Sequence, residues 1–237
     1  MSTSTNPLSV VIITQNEERV IGNAIQSARF ADEVLVLDSG SDDKTVDIAK
    51  DLGVRVEHLD WLGFGKQKNA AIDLAKNNWV FVLDSDEEIT PELAHEVRKI
   101  LKNPEHDGFF VARLNKFFGK YIKTCGLYPD YSVRLFNKTK ARFNEVEVHE
   151  SVQLKSQAGY LPSHMIHDAY EDIDEFIQKQ NRYSSLHSSQ KNLLKALLNP
   201  YWTFFNLYIV KKGVLDGWHG FIIAKLYAQY TFWKYIK

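Results

Sequence analysis

The chain has 237 residues, 44% hydrophobic and 25% charged, enough to bury one substantial core. Its single cysteine, Cys125, excludes an internal disulfide framework or a cysteine-cluster metal site and fits a reducing compartment, so a cytoplasmic location is expected. The opening seven residues lack the positive charge and apolar run of a secretory signal, and nothing marks the chain for export. A formal net charge of −1 conceals an asymmetry: residues 191–237 carry seven lysines against Asp216, a net +6, which leaves −7 on the remainder. So acidic a body is a poor nucleic-acid binder, and no nucleic-acid partner is expected.

The first hundred residues alternate short β-branched runs with segments apolar at helical spacing, the pattern of a parallel sheet with crossover helices. Strands are predicted at Leu8 to Thr14, Val34 to Leu37, Val54 to His58 and Trp79 to Leu83. Helical faces lie between them: Val20, Ile21, Ala24, Ile25 and Ala28; then Val46, Ala49 and Leu52; then Ala70, Ala71, Leu74 and Ala75. Thr90-Pro91-Glu92 supplies an N-cap, a first-turn proline and an acid, and opens a helix to Leu101. From Gly108 the alternation ends; Phe109 to Leu114, Tyr131 to Phe136 and Arg142 to Val148 suggest mixed or antiparallel strands. Asp168 and Glu171 have the spacing of a capping box for a helix carrying Ile173, Phe176, Ile177 and Tyr183. The fold class is therefore α/β, with a mixed α+β second half.

Ligands of open α/β sheets sit beyond the carboxyl ends of the strands, and here those ends are acidic. They read Thr14-Gln-Asn16-Glu17, Asp38-Ser-Gly-Ser-Asp-Asp43 and Asp84-Ser-Asp86-Glu-Glu88. Asp42 and Asp43 suit helix capping at least as well as ligand contact. Two carboxylates one residue apart, Asp84 and Asp86, can hold a hard divalent ion, magnesium or manganese, against a diphosphate. Gly63-Phe-Gly65-Lys66-Gln-Lys68-Asn69 is a glycine-flanked basic turn opening a helix, suited to phosphate; it is not a Walker A loop, since Asp60 stands where that motif needs glycine.

Together these motifs resemble the family 2 glycosyltransferases of GT-A fold, from Leu8 to about Leu101. Tyr128-Pro-Asp-Tyr-Ser-Val-Arg134-Leu-Phe136, Val148-His-Glu150 and Lys211-Lys-Gly-Val-Leu-Asp-Gly217 are similar to a bacterial subgroup that adds sugars to the lipopolysaccharide inner core. The resemblance implies an inverting transfer of a hexose, glucose by preference, from a UDP-sugar donor to a lipid-linked glycan acceptor. It implies that Thr14, Asn16 and Glu17 line the nucleoside pocket and that Asp38 accepts the uracil N3–H, a donor that cytosine lacks. Asp84 would then meet ribose or sugar, Asp86 the metal, and Lys66 or Lys68 the diphosphate. The Glu-Asp pair that many members carry as the base region has no equivalent here. Glu150 is the preferred base, with Asp130 second, and His167 is a metal-ligand candidate.

A transferase domain is expected over residues 1–190, with a nucleotide-binding half at about 8–107 and an acceptor half at about 108–190. Residues 191–237 form a basic tail with 12 of the 30 aromatic residues. Charges interrupt every apolar stretch of the tail, so it suits a membrane surface rather than a span, attached peripherally to the inner face of the cytoplasmic membrane. Packing on the body or in a dimer is the plainer use of these aromatics. Two other functions are compatible with the sheet: a nucleotidyltransferase, disfavoured because no glycine follows the first strand, and a non-catalytic membrane scaffold.

Overall fold

The computed structural model describes residues 6–145, 150–170, 172–186 and 191–237. The elements, in chain order, are β1 (Leu8–Thr14), α1 (Ile21–Ser27), β2 (Glu33–Asp38), α2 (Thr45–Asp51), β3 (Arg55–His58), α3 (Phe64–Leu74), β4 (Trp79–Asp84), β5 (Glu87–Ile89) and α4 (Pro91–Ile100). There follow β6 (Gly108–Phe117), β7 (Lys120–Tyr121), β8 (Asp130–Asn137), β9 (Ala141–Phe143), β10 (Val152–Leu154), β11 (Gly159–Tyr170), α5 (Ile173–Leu186), α6 (Leu193–Phe205) and α7 (Trp218–Ile236). A π-helical turn, Asn206–Val210, and a 3-10 turn, Gly213–Asp216, join α6 to α7.

The sheet runs β3-β2-β1-β4-β8-β6-β11-β5, with β7 beside β6. Strands β1 to β4 are parallel, whereas β8 pairs antiparallel with β4 and β11 antiparallel with β5. Strict alternation sorts the parallel strands between two cores. Val10, Ile12, Phe81 and Leu83 turn toward α1, α2 and α4, while Val11, Ile13, Val80 and Val82 turn toward α3 and Phe143. The helix at residue 91 forms as its start signals predict: Thr90 Oγ1 accepts the Leu93 amide at 3.3 Å and Pro91 stands in the first turn.

The described residues cluster into two compact units. The first comprises residues 1–113 and 131–167; the second comprises 114–130 and 168–237. The 191–237 segment shares its unit with residues 114–130. In that second unit Ile223 of α7 packs into a core with Phe117, Ile122, Cys125 and Phe176. The capping-box expectation is corrected here. Asp168 lies within β11, 3.5 Å from Lys116, and the strand continues to Tyr170, whose carbonyl accepts the Phe118 amide. The head of α5 is instead capped by Asp172, whose Oδ1 accepts the Glu175 amide at 2.8 Å. Glu171 lies outside the described residues.

Candidate active site

Register brings the acidic strand ends to one edge. Thr14 is the sheet partner of Asp38, Asp38 of His58, and Ile13 of Asp84. The crossover helix α3 begins at this edge, which puts its first turn beside the same strand termini.

The loops after β1 and β2 are laced together. The Asn16 amide donates to Ser41 Oγ and Asn16 Oδ1 accepts the Asp42 amide, while the Glu17 amide donates to Thr45 Oγ1. Asn16 takes a left-handed backbone, φ +57°, which asparagine tolerates. Asp43 joins the two loops just ahead of the Lys44 N-cap of α2: its Oδ1 accepts the Thr45 amide and its Oδ2 the Glu18 amide. Asp38 is buried and folds its own loop, Oδ2 accepting the Gly40 and Ser41 amides and Oδ1 the Ser41 hydroxyl at 2.5 Å. Of four acceptor positions on a carboxylate, three are filled by its own loop, and His58 Nδ1 stands 3.8 Å from Oδ2. Next to Asp38 in register, Thr14 Oγ1 is a buried oxygen with no hydrogen-bond partner among the described residues. Such a group costs free energy unless something pairs it.

A chain of charges crosses the middle of this edge. Lys68 is buried and its Nζ lies 3.0 Å from both Asp84 Oδ1 and Glu150 Oε1. Asp84 Oδ2 receives both terminal nitrogens of Arg134, at 3.1 and 3.2 Å, and Arg134 Nη2 also donates to Glu87 Oε1 at 2.6 Å. Glu87 is fully buried; its Oε2 accepts the Asp84 amide, and Arg113 approaches at 3.5 Å. Burial alone raises the Asp84 carboxyl, but Lys68 and Arg134 overcome it and hold the group far below the usual carboxylate range. Glu87 is raised, by burial first and by the Asp84 charge, with Arg134 and Arg113 opposing. Burial lowers Lys68, yet its two carboxylates leave it raised overall.

Three consecutive residues of α3 fasten this edge. Gln67 donates to Ser39 Oγ and the Leu59 carbonyl, holding the loop after β2. Lys68 holds Asp84 and Glu150. Asn69 clamps the backbone of Phe143 on β9 through both its amide groups, each at 3.0 Å. Lys66 stays exposed in the first turn. The two lysines named for the diphosphate are thereby separated: Lys68 is engaged by internal carboxylates, and Lys66 is the accessible cation.

The alternating run from Arg142 forms strand only to Phe143, and Glu145 is exposed coil; 146–149, including His149, lie outside the described residues. Glu150 is the first described residue beyond them. It precedes β10, just past a neck in which the Asn144 amide donates to the Ser151 carbonyl and Asn144 Oδ1 accepts the Ser151 amide. A bare Gly65 lets this neck settle on α3: a Cβ there would lie 2.3 Å from the Asn144 carbonyl oxygen. Asp130 opens β8 and belongs to the second unit.

Asp86 and His167 are brought together from 81 residues apart, Oδ2 to Nε2 at 3.2 Å, because β11 pairs with β5 and sets His167 opposite Glu87. Among the described residues no three His, Cys, Asp or Glu side chains converge as a metal cage. Arg134, Glu87, Gln67 and Asn69 were assigned no role by sequence reasoning. The available signal was an arginine inside the apolar run Val133-Arg134-Leu135-Phe136, since a buried guanidinium must be paired.

The fold and this edge are those of a glycosyltransferase of the GT-A type. Residues 9–155 match the family described as Glycosyl transferase family 2, and the chain belongs to it. An uncharacterized glycosyltransferase of Rickettsia bellii is 31% identical over 98% of this chain and 86% of its own length. The lipopolysaccharide core biosynthesis glycosyltransferase LpsC of Rhizobium meliloti is 29% identical over 95% of this chain and 89% of its own. Among solved structures, S. aureus TarS, residues 1–349, superposes with a TM-score of 0.51 at 17% identity, a likeness of fold. That superposition covers 76% of this chain and 64% of TarS, so the chain spans less than two thirds of that structure.

Proposed function

We propose that this family 2 glycosyltransferase is an inverting enzyme that moves a hexose, glucose in our reading, from a UDP-sugar to a lipid-anchored glycan, the lipopolysaccharide inner core. The observation that carries the reading is the unbroken charge chain Glu150–Lys68–Asp84–Arg134–Glu87 along the edge where the parallel strands end. Its arrangement suits a donor laid across β1, β2 and β4 with a base waiting on the far side. The name of the LpsC relative agrees with the acceptor class.

Asp38, whose own loop fills three of its acceptor positions, takes the uracil N3–H, and the unpaired Thr14 hydroxyl beside it meets the nucleoside. Asn16 and Glu17, on the laced loop, border the same pocket. Lys66 faces the diphosphate. Asp86 and His167 would hold a divalent cation, magnesium or manganese; a carboxylate oxygen and an imidazole nitrogen leave most coordination positions to phosphate oxygens and water, as such sites require. When bound, that ion neutralises charge on the departing diphosphate.

Glu150 removes the acceptor hydroxyl proton as the oxygen bonds to the anomeric carbon, while the bond to UDP breaks and its electron pair leaves on the phosphate oxygen. Lys68 is a positioning residue, holding Glu150 through Oε1. A cytoplasmic site of action, at the inner face of the membrane, belongs to the same reading. Incubation with UDP-glucose, magnesium or manganese and a truncated lipopolysaccharide acceptor should release UDP and yield product of inverted anomeric configuration. Absence of both UDP release and sugar transfer with every UDP-hexose tried would overturn the reading.

A further inference from the structure

In the second unit α6 and α7 form an antiparallel hairpin. The Asn192 amide donates to the Tyr235 carbonyl at one end, and the rings of Phe204 and Tyr208 meet Phe221 at the other. Buried Ala196 and Ala228 belong to the facing sides of the pair. The distribution of the remaining apolar residues is inverted relative to an ordinary surface helix. Leu194, Leu198, Tyr201, Trp202 and Phe205 recur at helical spacing along the outer side of α6, and their exposure runs from 47% at Phe205 to 79% at Tyr201. Leu215 and Trp218 continue the exposed apolar surface into the turn before α7. A face of this size marks a surface that something covers.

Charge selects the cover. Lys191, Lys195, Lys211, Lys212 and Lys225 are exposed on the hairpin, whose single acid, Asp216, is held by Lys120 and Thr124. A second copy would bring one lysine-rich face against another. Anionic phosphate headgroups satisfy the lysines while leucine and aromatic side chains enter the acyl boundary. No described helix is long and apolar enough to cross a bilayer, so the hairpin would lie on the surface. Between the helices runs an apolar groove of about 510 Å³, lined by Pro200, Tyr201, Phe204, Phe221 and Phe232, with Lys225 beside it.

We propose that the outer face of the α6–α7 hairpin docks on an anionic phospholipid bilayer, with one acyl chain in the groove and Lys225 against that lipid's phosphate. This deepens the lipid-anchored acceptor reading and rests on it for purpose, while docking itself is measurable without turnover. The full chain should float with vesicles of phosphatidylcholine and phosphatidylglycerol at least about tenfold more than with phosphatidylcholine alone, and added salt should weaken the binding. Acyl-brominated phosphatidylglycerol should quench tryptophan emission, and W202F should lose much of that quenching.

Leu198→Glu with Tyr201→Glu alters only exposed positions, so its melting temperature and UDP-glucose hydrolysis should match the parent while flotation falls about tenfold or more. Lys225→Glu should reduce flotation on the anionic vesicles. Flotation of the double variant equal to the parent would overturn the proposal. So would a failure of the parent to float, with a concentration-dependent dimer in sedimentation equilibrium that the same double variant abolishes. Normal flotation without any UDP-sugar turnover would sink the catalytic reading and leave the docking face standing.

Discussion

Nζ of Lys68 lies 3.0 Å from Oε1 of Glu150, joining residues 82 positions apart. A cation on the crossover helix α3 thus fixes the carboxylate proposed as base. Glu150→Gln keeps size and hydrogen bonding, so donor KM should stay within about twofold while kcat falls about 100-fold or more. Lys68→Met should lower kcat similarly and cost about 3 kcal/mol of stability, since Asp84 loses a buried partner. Because Lys68 acts on turnover through Glu150, the double variant should lose little more kcat than either single. Steady-state kinetics on the four proteins checks this; additive losses would place Lys68 on substrate instead.

Gly65 tests the same positioning through backbone space. An alanine Cβ would collide with the Asn144 carbonyl, so Gly65→Ala should displace the neck that precedes Glu150 and cut kcat at least about tenfold. Gly22 on α1 is the matched control, because its Cβ would meet Ile48 at an ordinary 3.7 Å. Gly22→Ala should leave kcat intact and raise stability by about 0.5–1 kcal/mol. Denaturation curves and kinetics on both variants decide it.

Asp84 gives a pH prediction. Its folded carboxyl titrates far below the unfolded value because Lys68 and Arg134 outweigh burial. A depressed acid stabilises the fold fully above the unfolded value, about pH 3.9, and loses that contribution as pH falls through the lower folded value. The stability difference between the parent and Asp84→Asn should therefore be flat from pH 7 to about pH 5 and shrink as the medium is acidified below about pH 4. A difference that shrank between pH 7 and 5 would contradict this pairing.

Ion binding should follow Asp86 and His167. Chelator should abolish transfer, and Asp86→Ala or His167→Ala should weaken manganese binding in the presence of UDP by at least about tenfold, read by calorimetry or by the manganese paramagnetic signal. Unchanged manganese affinity in both variants would remove this pair as the ion site.

Nucleobase choice should follow Asp38. UDP should inhibit at least about tenfold more strongly than CDP, since cytosine presents an acceptor where uracil presents a donor. Asp38→Asn should narrow that ratio, although the Gly40 and Ser41 amides also lose a charged acceptor. Equal inhibition by the two nucleotides would move uracil recognition away from Asp38.

By itself the sequence determined the parallel half and the residues at its edge. The unbroken apolar runs Val10-Val11-Ile12-Ile13 and Val80-Phe81-Val82-Leu83 specify strands buried on both faces, and Thr90-Pro91 specifies a helix start, because both signals are set by neighbours a few residues away. The local bond from the Thr45 amide to Asp43 belongs to the same short range. Only the tertiary structure decided which charges pair. An arginine in an apolar strand states that a partner exists, but Asp84 and Glu87 become that partner only because β8 lies beside β4. Lys68 and Glu150 meet through the Asn69 clamp and the bare Gly65, and Asp86 meets His167 through the β5–β11 register. The tail composition likewise predicted an amphipathic segment but not its outward face, since which side of α6 stays uncovered depends on α7 taking the other. Short-range patterns choose conformation; partners distant in the chain are chosen by how the finished elements pack.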